Sequence, residues 1–455
     1  MTLDTIKFVK TIPKPVEAQK MKKLLFIISF VIGNVWYATT QNVHIPDPNF
    51  KTYLLGNLEI NTNSDTEIQV SEAFTFAGGI ICDNMDISDL TGIEAFVNIT
   101  ALSCMFNQLT TLDVSQNTAL YILNCDFNQL TFLDVSKNVA LEQLDCVENY
   151  LMSLDVSQNA ALRWLQCWGN QLTSMDVKQC PDLLDLYCWN NQLTTLDVSQ
   201  NAALQWLSCK DNQLTTLDLS QNSALHVLSC ERNQLTTLNV SQNDALSGLN
   251  CQGNLLTTLE VGTGLVVLDC SDNQLKSLNV SQNPFLQSLD CGTNQLTSLN
   301  ANMNRVLNSL VCDNNQLTSL NVANENNVNF NHFSAINNPD LFCIEVDDKE
   351  YSDNSPDFHK DSIAIYSEDC IETSRKERYF DSQLIVYPNP ASHVLTIQTV
   401  YNVKGYRLIN IYGQTIKTAN MNGTNINIAG TTPGPYTLLI ETVEGYTASK
   451  IIFVE

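Results

Sequence analysis

Residues 120–140 read LYILNCDFNQLTFLDVSKNVA, and close copies of this segment run upstream and downstream. Its cysteine recurs at steps of 21 residues, with a single step of 19. The recurring cysteines are Cys104, Cys125, Cys146, Cys167, Cys188, Cys209, Cys230, Cys251, Cys270, Cys291 and Cys312. A fixed period of this length is typical of a solenoid, in which each turn of the chain stacks on the one before.

Each copy contains Leu-x-x-Leu-x-Cys-x-x-Asn-x-Leu and resembles the leucine-rich repeat, with Cys where that family often has Leu. The resemblance implies a β-rich solenoid with a parallel β-sheet. In Leu-x-Cys both apolar side chains point to one face of a short strand. Because one repeat cannot bury that face alone, the copies must stack. In the family, the asparagine three residues after each cysteine forms a ladder that bonds buried backbone groups.

The cysteines invite a metal or redox interpretation, and a divergent first repeat adds Cys82 to the same column. A straight row of thiols about 5 Å apart on parallel strands offers no tetrahedral cage for a metal ion. We therefore interpret the twelve as small buried hydrophobes. Cys180 falls outside the column, in a turn.

The second half of each repeat carries Asp or its replacements Asn and Glu, as at Asp134, Asn239 and Glu260. Since Asn serves equally well, we expect a side-chain oxygen that caps a turn, with its charge incidental. Two residues are missing between Val261 and Leu265, where two glycines predict a tighter turn.

Residues 1–40 are interpreted as an upstream extension plus a signal peptide. From Met21 onward, two lysines precede an apolar run too short to span a bilayer, and small residues follow it. This pattern predicts export, with cleavage near Thr40.

Residues 41–80 are predicted to form an N-terminal cap that starts with a short helix. The loop at residues 61–72 looks like an EF-hand, which would hold a structural calcium ion. It departs from that motif at Asn61, where Asp is usual, and at Thr66, where Gly is usual. The alternative is a polar turn that caps the solenoid. The candidate metal ligands are Asn61, Asn63, Asp65, Glu67 and Glu72.

The outward strand face differs between copies, and solenoids bind partners on such faces. By the parity of the strands, four of the five tryptophans should point outward there. An aromatic patch on a polar surface usually marks an interaction site, although cross-strand packing is the alternative. The candidate ligand-binding residues are Asp145, Trp164, Trp168, Asp185, Tyr187, Trp189 and Trp206.

The regular repeats are assigned to residues 81–330, and residues 331–382 to a C-terminal cap and linker. Cys343 and Cys370 lie outside the ladder, and a disulfide between them is the economical interpretation for an exported protein. Arg375, Lys376 and Arg378 fall in a polar stretch that reads as the linker.

Strand-like runs separated by turns fill residues 383–455 and predict a small β-sandwich of immunoglobulin-like type. Tyr387-Pro-Asn-Pro390, Ile411-Tyr-Gly-Gln414 and Lys450-Ile-Ile452 occur in that order. They resemble motifs of the type IX secretion C-terminal sorting domain. That family routes cargo across the outer membrane, which implies a location in the medium or on the cell surface of a Gram-negative bacterium.

The chain has 455 residues and a net charge of −25, which disfavours nucleic acid and anionic membranes as partners. Its five histidines are scattered and accompany no nucleophile or metal motif, so we do not expect an enzyme. The leading hypothesis is a recognition protein that binds a protein or glycan through its strand face. The alternative is a structural surface-layer protein that spaces or self-associates.

Overall fold

The computed structural model describes residues 41–370, 380–381, 383–421, 423–443 and 445–455. The predicted extension and signal peptide, and the linker cations Arg375, Lys376 and Arg378, lie outside the described residues. The chain divides into two compact units, with the boundary between Ala224 and Leu225.

The first unit begins with the cap, in which Asp47 caps a helix by accepting hydrogen bonds from two of its backbone N–H groups. Its helices are α1 (Pro48–Gly56) and α2 (Val70–Thr75), with a 3-10 turn at Ile93–Ala95. Its strands are β1 (Gly79–Ile81), β2 (Ala101–Ser103), β3 (Ile122–Asn124), β4 (Gln143–Asp145), β5 (Trp164–Gln166), β6 (Asp185–Tyr187) and β7 (Trp206–Ser208). Neighbouring strands are parallel and in register, so their central apolar residues form one buried row.

The second unit contains further repeats, with one front sheet and two back sheets. Its front strands are β8 (Val227–Ser229), β10 (Gly248–Asn250), β12 (Val267–Asp269), β13 (Ser288–Asp290), β15 (Ser309–Val311), β17 (His332–Ala335) and β19 (Phe358–Lys360). Its back strands are β9 (Thr237–Val240), β11 (Thr258–Val261), β14 (Ser298–Asn300), β16 (Ser319–Asn321), β18 (Cys343–Glu345) and β20 (Ile365–Ser367). A 3-10 turn at Asn327–Asn329 and helix α3 (Lys349–Asn354) interrupt them. The two back sheets are β9-β11 and β14-β16-β18-β20. All front pairs are parallel, which confirms the solenoid.

The solenoid winding extends past residue 330 into the segment assigned to a loop-rich cap. Strands β17 and β19 add to the front sheet, and β18 and β20 add to the second back sheet. Phe333 and Phe358 stack at 4.8 Å where other repeats use leucine. The larger rings fill the core, so the winding persists after the cysteine period has stopped. Cys343 and Cys370 form the expected disulfide, with 5.8 Å between their Cα atoms.

The ladder cysteines are buried and form no disulfide among the described residues, as expected of small hydrophobes. Burial raises the pKa of most of these thiols, to about 12 for Cys82 and Cys188. Several also donate a weak hydrogen bond to the next strand, as Cys125 does to the Asp145 carbonyl.

The asparagine ladder is present and holds the chain where each front strand ends. Asn149 donates from Nδ2 to the carbonyls of Cys125, Cys146 and Val147, and its Oδ1 accepts from the N–H of Leu130. The residue before each ladder asparagine has a positive φ of 48–69°. These residues are Phe106, Phe127, Glu148, Gly169, Asn190, Asp211, Arg232, Gly253, Asp272, Thr293, Asn314 and Asn337. Most are not glycine, so the ladder bonds must offset the strain of a left-handed conformation.

A second asparagine ladder runs through the back of the repeats. Asn138 donates to the carbonyls of Val114 and Asn117, and Asn159 repeats the pattern one turn later. Its members include Asn117, Asn138, Asn159, Asn201, Asn222, Asn283 and Asn304. Cys180 occupies this position in its own repeat, and its thiol faces two carbonyls at 3.6 and 3.8 Å. It therefore lies in a turn, as the sequence predicted, and is also a buried member of this ladder.

The capping role of the Asp and Asn column is confirmed. The Asp134 carboxylate accepts from the N–H of Ser136, and Asn239 accepts in the same way from Ser241. At the shortened repeat, a Cβ on Gly264 would lie 2.1 Å from the Asp244 carbonyl oxygen, so only glycine fits that turn.

The C-terminal strands form two antiparallel sheets that share one core. The strands are β21 (Ile385–Tyr387), β22 (Val394–Gln398), β23 (Val403–Asn410), β24 (Thr415–Asn420), β25 (Asn425–Asn427), β26 (Gly434–Thr442) and β27 (Thr447–Val454). The sheet orders are β21-β22-β25 and β24-β23-β26-β27. Leu395 and Ile426 from one sheet pack in the same cluster as Leu408 and Leu438 from the other. This arrangement is the predicted β-sandwich.

No helix of the described residues is long and apolar enough to cross a membrane.

Candidate functional site

The outward face of β5, β6 and β7 brings three of the predicted site residues side by side. Trp164, Asp185 and Trp206 occupy the same register position on these adjacent strands. The Arg163 guanidinium lies 4.9 Å from the Trp164 ring centre, and Trp206 is 43% exposed. The Trp206 ring is therefore available to a ligand, whereas the Trp164 ring already holds a cation of its own chain.

Asp185 and Tyr187 complete this part of the face on strand β6. Burial raises the pKa of the Asp185 carboxyl, although a hydrogen bond from Trp164 lowers it in part. Burial also raises the pKa of the Tyr187 hydroxyl, and the Asp185 charge adds to that rise. Both groups are half-buried and can offer hydrogen bonds at the base of an aromatic surface.

A continuous row of rings follows the ends of the front strands. Trp168 and Trp189 are stacked with centroids 4.0 Å apart, and Phe106 and Phe127 are stacked at 4.4 Å. Phe127 meets Trp168 edge to face at 6.0 Å. We call these four residues the aromatic ribbon. Lys210 closes one end of it, with its ammonium 4.9 Å from the Trp189 ring centre.

The sequence predicted the two tryptophans of the aromatic ribbon but missed the two phenylalanines. Phe106 and Phe127 lie one position beyond the strand face, at the positive-φ residue before the ladder asparagine. The alternation of side chains along the strand does not extend to that position, so it could not identify these rings. Their fixed position, one residue before the ladder asparagine, could have identified them.

Asp145 was predicted to face a ligand on this surface, but it is only 3% exposed. It does point away from the core, as the strand parity requires. Its neighbour Val147 is 1% exposed although it also lies on the outward side. Phe127 and Trp168, from the repeats on either side, meet edge to face at 6.0 Å, and the Gln143 amide donates to the Asp145 carboxylate.

The EF-hand-like loop folds between α1 and α2 and is closed by its own hydrogen bonds. Glu72 accepts from the N–H groups of Thr62 and Asn63 through Oε1, and from that of Gln69 through Oε2. Asp65 accepts from the N–H of Glu67. Protein donors thus occupy two of the three carboxylates, Asp65 and Glu72, that a calcium ion would use.

Two observations bear on the fit of an ion to this loop. Asn61 is buried, and its Oδ1 has no hydrogen-bond partner within the described residues, as an ion ligand would. Against this, Glu67 forms an ion pair with Lys51 at 2.7 Å. Within the described ranges, no group of three His, Cys, Asp or Glu residues is placed to hold a metal ion. The calcium site stays a prediction.

Comparison with known proteins separates the chain into two parts. Residues 385–455 match the family of secretion system C-terminal sorting domains. A segment of 77 residues is 36% identical to internalin J of Listeria monocytogenes serotype 4b (strain F2365). That match covers 17% of this chain and 8% of internalin J, so it concerns a small part of that protein.

Solved structures resemble the whole array. The functional domain of InlJ from Listeria monocytogenes, described as including a cysteine ladder, is similar with a TM-score of 0.57 and 26% identity. The match covers 92% of this chain and 100% of that one. An internalin, InlF, from Listeria monocytogenes str. 4b F2365 gives a TM-score of 0.49 at 20% identity, covering 60% of this chain and 90% of that one.

The chain is thus a leucine-rich-repeat solenoid that carries a type IX sorting domain at its C-terminal end. The sorting domain indicates export to the cell surface or the extracellular space.

Proposed function

We propose that the protein is a secreted or surface-bound recognition protein of a Gram-negative bacterium, which binds a protein or glycan ligand through the outward face of β4–β7. The observation that carries this proposal is the aromatic ribbon, whose rings lie outside the core and adjoin Trp206. Large, rigid aromatic surfaces supply much of the affinity at interfaces.

The ribbon is better explained by binding than by sheet stability alone. Phe106 is 48% exposed, and the ring stack continues along the surface into Lys210, not into the core. The buried leucine and cysteine columns already supply a continuous apolar interior without it. An exposed aromatic row of this length therefore favours a ligand-binding role.

Replacing Trp168 and Trp189 together by Ala tests the proposal. Ligands that the full-length wild-type chain binds on a glycan and protein array should no longer be bound by the full-length double variant. The binding free energy for any such ligand should weaken by at least ~2 kcal/mol. The matched control is Phe132→Ala, which removes an exposed ring away from the strand face. Should the double variant lower the melting temperature while its folded fraction binds normally, the rings are packing elements and the proposal is wrong.

Salt then distinguishes the two ligand classes. Moderate ionic strength should strongly weaken the binding of a basic protein, because the chain is acidic. Stacking of a neutral glycan on the rings should be almost indifferent to salt.

Export should depend on the sorting domain. Deleting residues 383–455 should trap the protein in the periplasm with its solenoid folded, because the sandwich has a core of its own. Normal amounts of the truncated chain at the surface would contradict this role.

A further inference from the structure

Strand β4 ends in a buried carboxylate whose two oxygens have different surroundings. Asp145 Oδ2 accepts a hydrogen bond from the Gln143 side-chain amide at 2.6 Å, whereas Oδ1 is buried with no partner in the described part of the chain. A buried ionised oxygen without a donor is costly. Asp145 therefore needs a proton or a positive charge that the strand itself does not provide.

A second, half-buried carboxylate lies on the neighbouring repeat, and its charge interacts with that of Asp145. Asp126 Oδ1 accepts from the N–H of Val147 at 2.7 Å. Burial raises the pKa of Asp126 to about 7, and the charges of Asp145 and Asp83 add to the rise. Burial likewise raises the pKa of Asp145. Two carboxylates that interact in this way do not readily ionise together.

The surroundings of the Asp126 and Asp145 pair suit a cation. Phe127 and Trp168 flank the repeat that contains Asp145, and both are rings of the ribbon. Tryptophan faces in this region already hold cations of the chain itself, Arg163 on Trp164 and Lys210 on Trp189, each at 4.9 Å. Aromatic faces beside carboxylates attract guanidinium and ammonium groups more than neutral hydroxyls.

We propose that the Asp126 and Asp145 carboxylates are the binding site for one cationic side chain, an arginine or lysine of a protein partner, which binds beside the Phe127 and Trp168 rings. This inference rests on the proposed binding face and narrows its ligand to a basic protein. The overall charge of −25 complements such a partner.

Binding of the cation should release a proton. In the free protein one carboxyl of the pair keeps its proton, and the entering guanidinium or ammonium replaces it as the positive charge. The released proton passes to the buffer. General attraction between a basic peptide and an acidic surface would release none, so proton release marks this pair.

The test uses the full chain and a blocked peptide, acetyl-Gly-Gly-Arg-Gly-Gly-amide. Its neutral counterpart carries citrulline in place of arginine. Tryptophan fluorescence should show that the arginine peptide binds at least about tenfold more tightly than the citrulline peptide. Calorimetry at pH 7 in buffers of different ionisation enthalpy should detect proton release with the arginine peptide.

Two variants assign the effect to the carboxylate pair. Asp145→Asn and Asp126→Asn should each weaken the arginine peptide at least about tenfold and abolish proton release. Both remove charge while keeping the shape of the side chain, so folding should survive. Asp290→Asn is the matched control, since Asp290 also precedes a ladder cysteine but its Oδ1 accepts from the N–H of Gly292. It should change affinity less than about twofold.

The outcomes separate this inference from the proposed function. Equal binding of the two peptides, no binding of either, or equal losses in Asp145→Asn and Asp290→Asn would overturn the cation site. A ligand that needs Trp168 and Trp189 but tolerates both Asp126→Asn and Asp145→Asn would keep the binding face and reject the cation site. Arginine-peptide binding that ignores the tryptophans would reject the aromatic face instead.

Discussion

Strands β5–β7, and likewise strands β12, β13 and β15, pair in register with their neighbours, but the outward sides of the two groups differ in chemistry. The first presents Trp164, Asp185 and Trp206, and the second presents Val267, Ser288 and Ser309. Both rest on the same buried leucines, cysteines and asparagines. The inward residues therefore set the backbone, and the outward residues are free to differ without changing it.

The largest expected effect comes from the shared ladder. Asn149→Ala removes three donated hydrogen bonds and one accepted bond from buried backbone groups. We expect a loss of about 3–5 kcal/mol in the free energy of unfolding. Denaturant titration measures it, with Gln166→Ala on the outward side of β5 as control. Similar losses in the two variants would show that the outward side also determines the fold.

The cysteine column should be almost as sensitive. Cys188→Ser places a hydroxyl in an apolar stack, and we expect a cost of about 1–3 kcal/mol. Thiol reagents should label no ladder cysteine of the native protein, nor Cys180, because the thiols are buried and their pKa values are raised. Rapid labelling of Cys188 in native protein would contradict a closed core.

The second ladder offers a variant that should stabilise the protein. Cys180→Asn restores the residue found in neighbouring repeats and replaces two long thiol contacts by amide hydrogen bonds. The free energy of unfolding should rise by about 1 kcal/mol. The opposite variant, Asn159→Cys, should lower it. A destabilised Cys180→Asn would show that this repeat has a different turn.

The pH dependence of the melting temperature tests whether Asp126 affects stability more than Asp290 does. The folded-state pKa of Asp126 is raised to about 7 by burial, so its stabilising contribution is complete at low pH and is lost as pH rises from about 4 through 7. The melting temperature should therefore fall from about pH 4 to about pH 7 and change little above that. Asp126→Asn should flatten this slope more than Asp290→Asn does. Burial also raises the pKa of the Asp290 carboxyl, so that variant is a fair control. Equal slopes in all three proteins would exclude the carboxylate pair as the cause.

The smallest effect concerns the N-terminal cap. If calcium uses Asn61 Oδ1 with Asp65 and Glu72, saturating calcium should raise the melting temperature by about 1–3 °C. Chelation should reverse the shift, and Asp65→Asn should abolish it. No shift with the wild-type protein would leave the loop as a polar turn.

The sequence was sufficient where a residue type repeats. Cys125 and Asn128 recur with the period, and that recurrence predicts the strand, its register and the ladder. It could not predict the left-handed residues, because Phe127, Glu148 and Arg232 have no common chemistry. The asparagine that follows each of them imposes that conformation.

Two further features depend on neighbours in space. Asp145 is buried although it alternates with the inward-facing Leu144, and no local pattern predicts that burial. The winding beyond residue 330 uses Phe333 and Phe358 in place of leucine, at spacings that no longer match the period.

The cysteine column also determines how this protein loses its fold. Thirteen thiols stay inert while the described repeats are intact, because burial keeps them protonated. When several repeats unfold, the pKa values of their thiols return together to the ordinary range. The resulting thiolates then react with oxidants and with the Cys343–Cys370 disulfide. Outside the cell, mispaired crosslinks would form faster than the chain could rewind. The lifetime of the fold outside the cell should therefore depend on the rate at which repeats first unfold and not on the folding equilibrium. A heated sample should refold when a reductant is present and should fail to refold in air.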